Sequence, residues 1–338
     1  SFRDRNANGQ MFDTVHTGSL IMPSMCPWPI TSTGTQRHCV NHEAGTRFIS
    51  FKHRRPLPEG IVLESSEVSE ETDLDLDEKQ QADEMENVAT SVIFEAIRRE
   101  GEYELSRSFS ALWWSGVAAG LAISMSVLCK GLLTSILPDA VWAAGISNLG
   151  YTVGFLIVIL GRMQLFTENT MMPVLPLFLA PTGAKLLQTT RLWSIVFVAN
   201  MAGCAAAALV LVFGHILPEV PLEGILTVSR HYAEATAFQH FAWGIPAGFL
   251  IAALVWILPR LQSAGEVMMI MIVTYMIGLG EMSHVVAGST ELFILVANGE
   301  LGIGPAVFNG ILPAFAGNVL GGTGIFAALT YAQLHEEI

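Results

Sequence analysis

GRMQLFTENT, residues 161–170, follows the apolar run GFLIVIL (154–160) and precedes MMPVLPLFLA (171–180). An arginine, a glutamate, an asparagine and two threonines thus interrupt a stretch long enough to cross a bilayer. A hydrocarbon core of roughly 30 Å takes about 20 apolar residues in a helix, and irregular backbone at that depth survives only in protein or against a cavity. The interruption therefore predicts a helix that stops, exposes polar groups to a pathway, and restarts. A second stretch has the same character: GLGEMSHVVAGSTE, residues 278–291, inside another overlong apolar run.

Around these two stretches the chain divides sharply. Of its 338 residues, 51% are hydrophobic and only 14% charged, with a mean hydropathy of +0.49. Six apolar segments, near 109–136, 142–178, 190–214, 238–258, 266–298 and 306–332, predict six transmembrane segments and an all-α integral membrane protein. The second and fifth are the two that carry the polar interruptions. Residues 93–338 make up this membrane domain, which begins with an amphipathic helix over 93–107.

The net charge of −13 belongs mostly to one place, because Glu64 to Glu86 holds eleven acidic residues and one lysine. Such a segment buries too little apolar surface to offset its ordering entropy, and 1–92 reads as a disordered, acidic N-terminal tail. No basic region followed by an apolar one marks a signal peptide there. Nothing points to nucleic acid, and no His or Cys spacing suggests a metal site or cofactor. Motifs for an intramembrane enzyme, H-E-x-x-H or G-x-S-x-G, are absent from the spans. With six spans, Arg98, Arg99, Arg107, Lys185, Arg191 and Arg260 fall on one side and Lys130 and Arg230 on the other. That bias puts both termini in the cytoplasm.

The two interruptions also organise the chain into halves. Phe166 and Asn200 are 34 residues apart, as are His284 and Asn318, and each asparagine sits in an N-x-x-G context. AAGLAI (118–123) and PAGFLI (246–251) open the two halves. A connection ten residues longer in the first half accounts for the differing offsets. Three spans repeated after three spans predicts an inverted 3+3 repeat with helices 2 and 5 broken around a site at mid-membrane.

LFTENT, ANMAG (199–203), the His-bearing break and LPAFAGNVLGG (312–322) together resemble the formate/nitrite transporter family, and GRMQLFTENT with GEMSHVVAGS resembles its YfdC-like branch. The resemblance covers roughly residues 93–335. It implies an aquaporin-like protomer in the inner (plasma) membrane and a homopentamer. Each protomer would hold one pore for a small monovalent anion or its weak acid. Leu165, Phe166 and Thr167 match the loop interrupting helix 2, where the family's leucine and phenylalanine narrow the cytoplasmic side and its threonine faces a central histidine, matched by His284. Tyr151 and Ile277 match the periplasmic constriction, and Phe155 falls on the cytoplasmic side. Around the histidine the chain departs from the family's F-E-H-S-I-A-N: Met282 and Ser283 precede it, and Gly288 follows where the asparagine is usual.

Of these residues, His284 carries the chemistry. A desolvated imidazole can donate a hydrogen bond, or a proton, to a carboxylate-like substrate, and the Thr167 hydroxyl is suited to fixing which ring nitrogen bears the hydrogen. Arg162, Glu168 and Glu281 are expected to form buried ion pairs, Arg162 with Glu281 first, because an unpaired buried charge is costly. An electrostatic gate is the other reading of these three. Asn200 and Asn318 are expected to satisfy backbone groups freed by the broken helices. The alternative function is a non-conducting membrane scaffold or regulatory protein of the same fold.

Overall fold

The structure is a computed structural model of the chain, and it describes residues 92–334. Residues 1–91 of the acidic tail lie outside the described residues, as do the last four. The described chain is helical. It opens with α1 (92–106), whose polar face is laced by Glu95, Arg98 and Arg99. α2 (Phe109–Ile136) and α3 (Ala143–Leu160) follow. A 3-10 turn (Glu168–Thr170) and the short α4 (Val174–Leu179) lead into α5 (Gly183–Phe213). α6 (Glu219–Ala233) is amphipathic, and α7 (Ala237–Ile257) begins a second set. α8 (Ala264–Leu279), α9 (Val285–Ala297) and α10 (Ile303–Leu334) complete it.

Five of these helices, α2, α3, α5, α7 (through Arg260) and α10, are long and apolar enough to cross a membrane, whereas α8 and α9 are shorter apolar helices. Their outward faces carry large apolar residues that water would not favour: Trp114, Leu149, Val198, Phe238 and Phe308 are all exposed. Lipid or another subunit is the natural neighbour for such surfaces.

The two sets are built on one plan. Ser108 caps α2 by accepting from the Ala111 N–H, and Thr236, 128 residues later, caps α7 in a capping box with Gln239. α1 and α6 precede these caps at nearly the same offset. α2 packs on α5 as α7 packs on α10, and in both cases glycine sets the distance. A Cβ on Gly120 would land on the carbonyl oxygen of Asn200, and one on Gly248 on that of Asn318. Neither position tolerates a side chain without separating its helices. The sets then join through α3 on α8, α5 on α9 and α2 on α9. Leu165, Phe166, Ile277 and Val285 lie in the shared core. In α10, π turns over Ala306–Ile311 and Leu320–Ala327 bracket Asn318.

Candidate functional site

Two helix ends create the site, and they have the same geometry. α3 ends at Gly161; the Met163 N–H then donates to the Val158 carbonyl (3.0 Å) and the Arg162 N–H to that of Ile159 (3.1 Å). α8 ends at Gly280; the Met282 N–H donates to Ile277 (3.0 Å) and the Glu281 N–H to Gly278 (3.3 Å). Both are Schellman terminations, which put the residue after the cap in the left-handed region usually given to glycine. Here those residues are Arg162 (φ 48°) and Glu281 (φ 51°).

Beyond each termination an asparagine from the neighbouring long helix takes over the stranded backbone. Asn200 accepts the Phe166 N–H at Oδ1 (2.9 Å) and donates from Nδ2 to the carbonyls of Gln164 and Gly116 (both 2.8 Å). Asn318 accepts the Val285 N–H (2.9 Å) and donates to the carbonyls of Ser283 (2.8 Å) and Gly244 (2.9 Å). Both side chains are fully buried. These bonds set the correspondence between the breaks: Leu165 is the counterpart of His284, and Phe166 of Val285. The equal 34-residue spacing, which pairs Phe166 with His284, is therefore one residue out of register. The longer first-half connection divides accordingly, with nine extra residues before the break and one between the break and its asparagine.

The contents of the two breaks meet at the centre. Thr167 Oγ1 lies 2.8 Å from His284 Nε2, and both residues are wholly buried. His284 is also the N-cap of α9, its Nδ1 accepting the Ala287 N–H at 3.2 Å. A nitrogen that accepts carries no hydrogen, so the neutral ring bears its hydrogen on Nε2 and donates to Thr167. The orienting group is thus the backbone N–H of Ala287 rather than the Thr167 hydroxyl. Thr167 is held in turn, because Thr170 Oγ1 donates to its carbonyl at 2.7 Å and Thr323 Oγ1 donates to that of Thr170.

Aromatic rings close the space on either side. Tyr151 packs on Phe155 (centroids 5.3 Å apart), and Phe155 meets the His284 ring edge-on at 4.9 Å. Ile277 is fully buried in the same cluster. Phe166 stacks on Phe315 at 4.8 Å and meets Phe197 at 5.2 Å. Phe197 and Phe315 had no polar neighbour in the sequence to single them out.

The expected Arg162–Glu281 pair does not form. Arg162 is exposed, and among the described residues it has no ion pair. Glu281 instead lies 3.1 Å from His231 of α6. The physical reason is the shared termination: Arg162 and Glu281 occupy equivalent left-handed positions on two different helix ends, and each is exposed there. Glu168 is not the partner of Arg162 either; its buried Oε1 has no hydrogen-bond partner among the described residues.

Glu281 belongs to a small cavity of about 40 Å³, also lined by Lys130, Tyr151, His231, Tyr232 and Glu291. That volume holds about three waters. A larger groove along Leu149, Val267, Met268, Met271 and Tyr275 is almost wholly apolar, and suits lipid or a neighbouring subunit rather than an anion.

Comparison with known proteins gives one consistent likeness. A formate/nitrite transporter sequence model matches residues 91–332. The chain is 37% identical over 278 residues to the inner membrane protein YfdC of Escherichia coli (strain K12), covering 82% of this chain and 88% of that one. Its structure is similar to that of an FNT family ion channel, with a TM-score of 0.65 and 17% identity over 72% of this chain and 99% of the other. A pentameric formate channel with formate bound gives a TM-score of 0.59 and 20% identity, covering 68% and 100%. At these identities the two structures speak for the fold alone.

Proposed function

The chain belongs to the formate/nitrite transporter family, and from that premise we propose that it conducts a small monovalent anion or its weak acid through a pore within each protomer. In this reading the chain crosses the membrane six times, with α3–α4 and α8–α9 as broken second and fifth spans. The halves are inverted, both termini are cytoplasmic, and five copies assemble. It is a transporter rather than an enzyme. Leu165 and Phe166 narrow one side of the centre, and Tyr151 and Ile277 the other. Phe155, against the imidazole, is the ring that must give way.

The observation that carries this reading is the 2.8 Å contact between Thr167 and His284 at the meeting of the two breaks. With Nδ1 engaged by the Ala287 N–H, the ring offers a single oriented N–H. An arriving anion oxygen replaces the Thr167 hydroxyl as its acceptor, and the hydroxyl is released to donate as well. While the cap holds, the neutral ring supplies a hydrogen bond and not a proton, because removing the Nε2 hydrogen would leave an imidazolate. Of the two roles expected from sequence, donating a hydrogen bond or passing a proton, this reading keeps the first.

The test is uptake of labelled formate into proteoliposomes by the parent and by His284→Leu, with assembly checked by size-exclusion chromatography. Removing one oriented donor is expected to lower uptake by about 100-fold at every pH, while His284→Asn, which keeps an N–H, loses less. An assembled His284→Leu protein with parental uptake would make the ring a packing residue. The complete burial of Leu165, Phe166, Thr167 and His284 favours one other reading, a non-conducting protein of the same fold, which predicts no uptake by the parent above protein-free vesicles.

A further inference from the structure

Glu291 lies on α9, two turns beyond His284, or roughly 10 Å along the helix. It is 4% exposed, and among the described residues its carboxyl has neither a hydrogen bond nor an ion pair. It faces the small cavity that Tyr151 and Ile277 also line. Lys130, from α2, reaches over the Tyr151 ring with its Nζ 5.7 Å from the centroid. No carboxylate comes within 4.0 Å of that nitrogen among the described residues. A carboxyl and an ammonium thus line one small cavity of about 40 Å³ without touching.

An ionised carboxylate buried without a partner is costly. If the pair existed only for structure, the two groups would close on each other and regain that cost through a direct bond. They do not, among the described residues. Meanwhile the histidine donates a hydrogen bond but holds its proton, so a weak acid crossing in neutral form must be protonated elsewhere.

We propose that Glu291 is the proton donor to the incoming anion, which Lys130 holds in place. The anion enters beside Lys130, and its oxygen takes the hydrogen of the Glu291 carboxyl. One O–H bond breaks on the glutamic acid and one forms on the substrate, so that carboxylic acid plus formate becomes carboxylate plus formic acid. The neutral acid moves inward past Tyr151 to the imidazole. The Glu291 carboxylate remains facing Lys130 and recovers a proton from hydronium on the outer side. The other titratable groups on this cavity are Tyr151 of α3, His231 and Tyr232 of α6, and Glu281 at the second break. The elements α5 and α10 contribute none to it. Glu281 and His231 are engaged with each other at 3.1 Å, which leaves Glu291 as the carboxyl free to turn to a substrate.

This inference rests on the channel reading, and the two can fail separately. Formate uptake into proteoliposomes is measured for the parent, Glu291→Gln and Glu291→Asp, from neutral pH down towards the acid's own pKa. Glu291→Gln keeps the shape and loses the exchangeable proton. It is expected to lose about 100-fold in uptake near neutral pH, and the deficit should shrink as pH falls and formate arrives already protonated. Glu291→Asp restores part of the rate. A Gln variant that assembles and retains the parental pH profile overturns the proposal and leaves the channel reading standing. No uptake by the parent itself overturns both. Should the Gln variant fail to assemble, carbodiimide labelling of the parent decides. Formate is expected to protect Glu291 from modification, read by peptide mass spectrometry, and labelling indifferent to formate overturns the proposal.

Discussion

The two breaks share a frame and differ in what they hold. Both begin with a Schellman termination at glycine, both strand a peptide that an asparagine recovers with two of its three hydrogen bonds, and both place a residue just before the recovered N–H. In the first, that residue is Leu165 and the helix does not resume until Val174. In the second it is His284, which itself caps a helix resuming at Val285. The first break holds a leucine and stacked aromatics, and the second holds an oriented N–H at a helix end. The backbone solution is repeated, whereas the chemistry is not.

If the frames are equal, destroying either should be equally damaging, and this is the largest effect expected. Asn200→Ala and Asn318→Ala each leave one buried N–H and one carbonyl of the break unpaired (Phe166 and Gln164, or Val285 and Ser283), a loss of about 3 kcal/mol per variant. Thermal unfolding in detergent should fall by similar amounts for both. A tolerant Asn200→Ala beside a collapsed Asn318→Ala would show that only the second frame is structural.

A smaller effect separates the frames at their left-handed residues. Glycine at position 162 relieves the strain of an L-residue in that region and should stabilise by about 0.5–1 kcal/mol. Glu281→Gly gains the same relief but loses the contact with His231, and should come out closer to neutral. The difference between the two thermal midpoints measures that contact. An Arg162→Gly protein clearly less stable than the parent would mean that Arg162 has a partner in the assembled oligomer.

The equivalence of α1 and α6 yields the smallest effect. Arg230 of α6 holds Glu300 through two bonds (2.7 and 2.8 Å) and Glu223 through a third of 2.5 Å. The guanidinium keeps the Glu300 carboxyl at about 2, below its ordinary 4.5. A carboxylate favoured in the fold contributes fully above that ordinary value and loses its contribution as pH falls from about 4.5 towards 2. Both side chains are more than 30% exposed, so solvent screening reduces the contribution to on the order of 0.5 kcal/mol. Glu300→Gln should remove that small decrement from the acid limb of a stability–pH curve and leave the neutral region nearly unchanged.

Apolar run length made the long apolar helices legible in the sequence, and polar residues inside those runs marked where α3 and α8 end. Asn200 and Asn318 were legible through spacing. The one-residue slip at Phe166 arose because spacing counts residues, whereas the frame is defined by which N–H each asparagine receives. The ion-pair expectation for Arg162 failed for a related reason: burial was inferred from position in an apolar run, and a helix end in that run can still turn a side chain outward. α6 escaped notice because EVPLEGILTVSRHYA mixes polar and apolar residues over 15 positions, which reads as a loop between spans. Glu291 was visible within GSTELF, but it read as part of the polarity of the break. Only the folded chain carries it two turns away, into a cavity with a lysine from the first long helix.

The asparagine frame has one further consequence. Because its bonds run from the asparagine side chain to main chain, the frame itself asks nothing of the side chain at the centre of each break, to which His284 adds a cap on α9. Leucine and histidine occupy that place equally well in the two halves. Such a mounting separates the heritable from the adjustable: a lineage, or an engineer, can exchange the working side chain by a single codon and leave the asparagine frame in place.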